Sequence, residues 1–258
     1  MISINTRYQD ILRNLYRFRF LTRLQLQHLL HHKQFNRIII WLNYLTKSSY
    51  IKRYYNSKQV TVPAFYSLGL KARKYLKGNP EFPDIKASVL DRVWQEHTTS
   101  PEFKRRCMLV ADVYLSLVAL TEKTKATLLF KTQTDLHGVR YLILPPPDAF
   151  FAIKEKAGSS RGYFLDVFEE HATKAKLFTR IERYGTYYEA NYWQDHAKDP
   201  FPNIILVCTD EWSYKYLFKT IQRTLNNTPD LNFYLTTREL IKTKGMSREV
   251  LQKVELPD

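Results

Sequence analysis

The apolar period of this chain changes at about residue 50, after three helical stretches, and that change does most to limit how the first third can fold. Tyr8, Ile11, Leu12 and Leu15 recur at helical intervals over residues 6–16. Thr22 is placed to cap a second helix running to about residue 31, with Leu24, Leu26, Leu29 and Leu30 as its apolar positions. A third helix is expected over residues 34–47, burying Phe35, Ile38, Leu42 and Leu45. Beyond it, residues 50–55 and 59–66 read as two strands joined by the polar turn Asn56-Ser57-Lys58. A short basic helix over residues 70–77 ends at Gly78-Asn79-Pro80. Three helices and a hairpin in this order describe a winged helix-turn-helix, expected over residues 1–83.

Charge gives that segment a partner. Residues 1–83 hold fifteen lysines and arginines against two acids, Asp10 and Glu81, and so carry +13 of the formal +15 of the 258-residue chain. Such a field attracts a polyanion, most often nucleic acid. In a winged helix the third helix fits the major groove, and the hairpin lays Lys52, Arg53 and Lys58 along phosphates or in the minor groove. The outward side of that helix offers Gln34, Asn36, Arg37, Trp41, Asn43 and Tyr44, with Arg37 and Asn36 or Gln34 best placed for base edges. A protein-docking winged helix uses the same elements and stays open as a reading. The aromatics between Tyr44 and Tyr66 fit cross-strand packing, and His28, His31 and His32 have no carboxylate or cysteine to complete a metal set.

Other classes are excluded. The two cysteines, Cys107 and Cys208, are far apart and write no disulfide framework or zinc finger. No apolar run approaches membrane-spanning length, and the first residues lack an apolar signal segment. A soluble cytoplasmic protein without a membrane partner is the expectation.

Residues 84–258 are nearly neutral, and their order of elements suggests an α/β (α+β) domain entered through a linker at residues 81–91. Ser100-Pro101-Glu102 begins a long helix reaching about residue 120. Strands are expected at residues 126–132, 140–144, 149–153 and 162–168, then a helix over 173–193. A buried strand at 203–208, a helix over 213–226 and a strand at 231–236 complete a mixed sheet flanked by helices. The polar end, residues 242–258, carries no clear pattern. Nucleotide-binding and hydrolase motifs are absent. The remaining chemistry lies in Pro147-Asp148 at a strand start and in Asp166 on the next strand. Two carboxylates on adjacent strands suit Mg²⁺ or Mn²⁺ and metal-activated hydrolysis of a phosphodiester. A generic Pro-Asp turn beside an unrelated strand aspartate is the other reading.

The order of these features resembles the replication-relaxation family of plasmids and mobile elements. The matching stretches include Phe20-Leu21-Thr22, Tyr50-Ile51-Lys52-Arg53, Tyr66-Ser67-Leu68, Pro147-Asp148-Ala149, Phe164-Leu165-Asp166 and Arg180 with Tyr184 and Tyr187-Tyr188. The resemblance, spanning about residues 5–225, implies a winged helix joined to a restriction-endonuclease-like domain of the PD-(D/E)xK kind. Nuclease chemistry in that fold needs an acid and a lysine two residues apart, whereas here Asp166 is followed by Phe168. Lys174 or Lys176 on the next helix would have to supply the displaced charge, and Arg180 is a poor base because its pKa stays above ~12. The resemblance therefore implies a DNA-binding accessory factor in replication, relaxation or conjugation, with a nuclease-like scaffold that no longer cleaves. Its partners would be duplex DNA, a relaxase or replication proteins, and a second copy in a homodimer. A metal-dependent nickase using Asp148 and Asp166, with Mg²⁺ or Mn²⁺, and a winged-helix transcriptional repressor are the alternatives.

Overall fold

A computed structural model of the chain describes residues 4–55, 63–156 and 158–256. They form two units, Met1–Ala111 and Asp112–Asp258. The first contains α1 (Thr6–Phe18), β1 (Leu21–Thr22), α2 (Arg23–Leu29), α3 (Phe35–Lys47), β2 (Ile51–Tyr54), β3 (Phe65–Leu68), α4 (Leu70–Leu76), α5 (Ala87–Leu90) and the start of α6 (Pro101–Thr124). The helix starts follow from their caps. Asn5 Oδ1 accepts from the Tyr8 amide at 3.0 Å. Thr22 and Gln25 form a reciprocal capping box, with amide-to-side-chain distances of 2.9 and 3.2 Å. Gln25 is buried, and its Nε2 also donates to the Met108 carbonyl at 2.7 Å, which anchors α2 to α6.

Ile11, Leu12 and Leu15 on α1 and Ile38, Leu42 and Leu45 on α3 are buried as their spacing predicts, as are Leu26 on α2 and Leu30 just after it, but Leu24 is exposed and Leu29 only half-buried. Phe35, expected in that stripe, is instead exposed, with the Arg23 guanidinium 3.8 Å from its ring centroid. A three-stranded antiparallel sheet runs in the order β1-β3-β2. At two residues β1 is too short to leave a periodic signature. The expected turn Asn56-Ser57-Lys58, and the start of the expected second strand, lie outside the described residues.

Residues beyond 83 stay joined to the first unit, and the stretch expected to be a linker includes α5. The Lys86 amide donates to Tyr16 Oη at 3.0 Å. Arg19 grips Glu96 with two hydrogen bonds of 3.0 and 3.1 Å, and Arg92 Nε lies 3.3 Å from the same carboxylate. Glu96 is only 3 % exposed, and a carboxylate buried this far has to be paired.

The second unit has a six-stranded mixed sheet in the order β4-β5-β6-β7-β8-β9. Its strands are β4 (Thr127–Thr132), β5 (Ala149–Lys154), β6 (Ser160–Val167), β7 (Asn203–Cys208), β8 (Phe233–Thr237) and β9 (Gln252–Lys253). The pairs β6/β7 and β7/β8 are parallel and the rest antiparallel. Between them lie α7 (Lys174–Glu189), α8 (Tyr192–Ala197), α9 (Glu211–Leu225) and α10 (Arg238–Lys244). One sheet face packs Phe164, Leu206 and Phe233 with Tyr184 of α7 and Leu217 and Ile221 of α9. The other carries Phe151, Tyr163 and Ile205 and meets the end of α6.

Four sequence expectations need correction. Residues 140–144 form turns, although Leu142 and Ile143 are buried, because Pro145, Pro146 and Pro147 follow and lack the amide donors a strand needs. The helix expected over 173–193 breaks at Asn191, whose φ of 54° lies in the left-handed region. Asp210 caps α9, accepting from the Ser213 amide at 2.7 Å, so the helix starts earlier than Ser213. The polar end, residues 242–258, supplies the last turn of α10 and the edge strand β9. No helix among the described residues is long and apolar enough to cross a membrane.

Gly69 tests the first unit's packing. A Cβ there would lie 2.5 Å from the Ser49 carbonyl oxygen and 3.1 Å from the Tyr50 carbonyl carbon, both backbone atoms that have no rotamer to yield. Gly69→Ala is expected to destabilise the protein by about 1–3 kcal/mol, measured as a lower urea midpoint.

Candidate functional site

Two sets of residues carry the chemistry. The first is the outward side of α3. With Ile38, Leu42 and Leu45 turned inward, helical spacing leaves Asn36, Arg37, Ile40, Asn43, Tyr44 and Lys47 exposed along one stripe. Gln34 is exposed at the N-cap, with no capping bond from its side chain. Tyr44 stacks on Tyr8 with ring centroids 5.2 Å apart. Trp41 is half-buried and meets His32 edge-on at 4.9 Å, which sets it beside the stripe. Ile40, at 63 % exposure, is an apolar group among hydrogen-bonding neighbours, and periodicity gave no reason to single it out.

Lys52 and Arg53 are exposed on β2, next to the rings of Tyr54 and Tyr55. Lys104 on α6 joins them. Its ammonium lies 5.1 Å from the Tyr54 centroid, and its pKa is lowered by burial and by the like charge of Lys52. Sequence reasoning missed Lys104 because the fold brings it to β2 from fifty residues away. Lys58 lies outside the described residues.

The second set surrounds Asp166, which is 7 % exposed near the end of β6. Leu165 pairs with Ala149 across the strands, which puts Asp148 beside the end of β6, and Asp148 Oδ2 accepts from the Val167 amide at 2.9 Å. The register therefore sets the two aspartates at neighbouring strand ends, with their oxygens engaged within the protein. Arg180 Nε donates to Asp166 Oδ2 at 2.6 Å and Nη2 to Oδ1 at 3.0 Å. Tyr184 Oη donates to the same Oδ2 at 2.8 Å and accepts from Arg180 Nη2 at 3.1 Å. Arg180 Nη1 donates to the Pro145 carbonyl at 2.6 Å.

Burial pulls the Arg180 pKa down, and Asp166, followed by Tyr184 and Asp148, carries it back above its ordinary value. Tyr184 is held well above the usual phenol range, first by burial and then by the neighbouring Asp166 charge. Arg180 is thus charged and Tyr184 neutral in this network. Lys174 is exposed at the start of α7, and Lys176 Nζ lies 3.4 Å from Glu169 Oε2; neither is among the partners of Asp166. A signal for the lock exists in the sequence. Arg180 falls on the buried stripe of α7 with Leu177, Ile181 and Tyr184, and a charge there requires an acidic partner.

The sequence signature of replication-relaxation proteins matches residues 12–204. The chain belongs to the replication-relaxation family. No curated protein matches it. Among solved structures it is similar to the restriction endonuclease FokI, at 14 % identity and a TM-score of 0.34, over 95 % of this chain and 46 % of the other. The chain thus spans less than half the length of that protein.

In this replication-relaxation protein the donor set does not fit a divalent cation. Both Asp166 oxygens accept from Arg180, whose fixed positive charge stands where a metal would need to approach. The described residues contain no cluster of three or more histidine, cysteine, aspartate or glutamate side chains able to hold a metal ion. The arrangement does suit a structural tie. Arg180 holds the Pro145 carbonyl, Arg183 Nη1 donates to Leu144 O at 3.2 Å, and the Gln133 amide donates to Asp148 O at 2.9 Å.

Breaking one side of the pair leaves a buried charge uncompensated. Asp166→Asn and Arg180→Met are each expected to destabilise the second unit by about 3–5 kcal/mol in urea denaturation. Because both single variants lose the same interaction, the double variant should fall well short of their sum.

Proposed function

We propose that this member of the replication-relaxation family is a DNA-binding accessory factor of plasmid or mobile-element replication. In this reading its first unit is a winged helix-turn-helix. Its second unit is a non-cleaving platform for a further DNA segment or for a relaxase or replication partner. The observation that carries the reading is the exposed stripe of α3, where Asn36, Arg37, Asn43 and Tyr44 surround an apolar Ile40 in the most basic part of the chain. Amide and guanidinium groups match the donor and acceptor pattern of base edges, and an isolated apolar group matches the thymine methyl. Lys52, Arg53, Lys58 and Lys104 would take phosphates. Loss of cleavage is supported by the guanidinium lock on Asp166, together with the lack of a lysine at position 168.

Duplex affinity should fall by about a thousandfold or more between roughly 50 and 200 mM salt if six or more phosphates are engaged. Electrophoretic mobility shifts over a salt series would read this, and salt-insensitive binding or no binding would reject the reading. On a selected site, Arg37→Ala should lose about 1–3 kcal/mol of discrimination between cognate and mismatched base pairs. Lys52→Ala should weaken all duplexes alike. A single tight palindromic operator would point instead to a repressor acting as a dimer.

The platform proposal has its own test. Supercoiled plasmid incubated with the protein in Mn²⁺ should stay intact while being retarded on the gel. Nicking that disappears in EDTA and in the Asp148→Ala/Asp166→Ala variant would make the protein a metal-dependent nickase.

A further inference from the structure

The face of the six-stranded sheet opposite Asp166 holds a feature that DNA docking does not use. Between this face and the end of α6 lies a cavity of about 510 Å³, a size that suits a small organic ligand. Its floor is Phe151, Tyr163 and Ile205 from three neighbouring strands, and Leu117, Leu120 and Met246 close it from above. The turn that brings Met246 over the cavity depends on Gly245, whose φ is 71° and whose added Cβ would lie 2.8 Å from Ser116 Oγ. That hydroxyl accepts from the Met246 amide and fixes the turn.

The lining is chemically one-sided. Its threonines are spent within α6: Thr121 Oγ1 donates to Leu117 O at 2.9 Å, and Thr124 Oγ1 to Leu120 O at 3.0 Å. Charged groups gather among the lining residues of β6 and the loops, where Lys156, Arg161 and Arg248 outnumber Glu155. Glu155 lies 3.2 Å from Arg248, which leaves a net excess of two positive charges. Both arginines act on the Tyr163 phenol: burial raises its pKa, and Arg161 and Arg248 oppose the rise. Arg161 and Arg248 both line this apolar chamber, with their side chains reaching solvent.

We infer that this cavity binds an amphipathic organic anion, its apolar body between α6 and the sheet and its carboxylate or similar head group against Arg161 and Arg248. An anionic head group would meet the two positive charges that Glu155 leaves unmatched, and an amphipathic cation would be repelled. A saturated chain of roughly ten to fourteen carbons fits a chamber of this size.

Isothermal titration of the full chain with sodium dodecanoate, below its micelle concentration, tests the inference. Dodecyltrimethylammonium, with the same chain and the opposite charge, is the control. Dodecanoate should bind at one site at least tenfold more tightly than the ammonium compound. Arg161→Glu/Arg248→Glu changes only side chains at the mouth and should abolish or reverse that preference. Leu120→Trp, which fills the chamber, should remove binding of both, with circular dichroism and the thermal midpoint checking that each variant is folded. No binding of dodecanoate, equal binding of the two amphiphiles, or binding that folded variants leave unchanged would overturn the assignment. Mobility shifts on duplex DNA are independent of this cavity, so failure here and failure of the DNA-binding reading are separate results.

Discussion

A carboxylate placed on a buried strand must be neutralised where it stands, and Asp166 meets that demand through Arg180. The ion pair is bidentate, nearly buried, and completed by the Tyr184 hydroxyl and the Pro145 carbonyl. Desolvation of two charges opposes folding, and it is offset only when geometry and hydrogen bonding are nearly complete. Here four hydrogen bonds leave the guanidinium in one place. Through Pro145 they also hold a proline-rich stretch that cannot pair as a strand. The end of β6, the start of β5 and the buried side of α7 therefore depend on one interaction.

The same interaction bears on chemistry. A metal-dependent phosphodiesterase needs carboxylate oxygens open to a cation and a mobile proton carrier near the water. Arg180 supplies a permanent positive charge and takes up both Asp166 oxygens, and Tyr184 is held protonated by burial. An open metal site here would require removing the arginine that keeps the buried aspartate tolerable. In this chain the requirements of stability and those of cleavage oppose each other at a single residue.

Much of the first unit was legible in the sequence because its helices are amphipathic and one is capped by a reciprocal box. Thr22 with Gln25 is a local signal, and so is the inward stripe of α3. Features formed by distant partners were not legible. β1 is a two-residue strand paired with β3, Lys104 reaches β2 from α6, and residues 84–99 are held by Glu96 between Arg19 and Arg92. In the second unit the apolar strands were clear, but the run at residues 140–144 was misleading. Leu142 and Ile143 are buried by packing of turns, which period-two reasoning cannot separate from a strand. The pairing of Asp148 with Asp166 was legible from their positions at strand ends. That Asp166 is the acid paired with Arg180 was not, since it requires knowing which face of β6 meets α7, although Arg180 on the buried stripe of α7 calls for some acidic partner.

The sheet gives its two faces different work. Side chains alternate across β6, so Phe164 and Asp166 point to α7 and α9 while Tyr163 and Leu165 point to α6. On the first face Asp166 and Arg180 are tied to each other among packed apolar side chains. On the second, α6 leaves a cavity with uneven charge. One strand thus carries a tied ion pair on one face and lines a cavity on the other. The two faces share β6, so a ligand against Tyr163 would act on the backbone that positions Asp166.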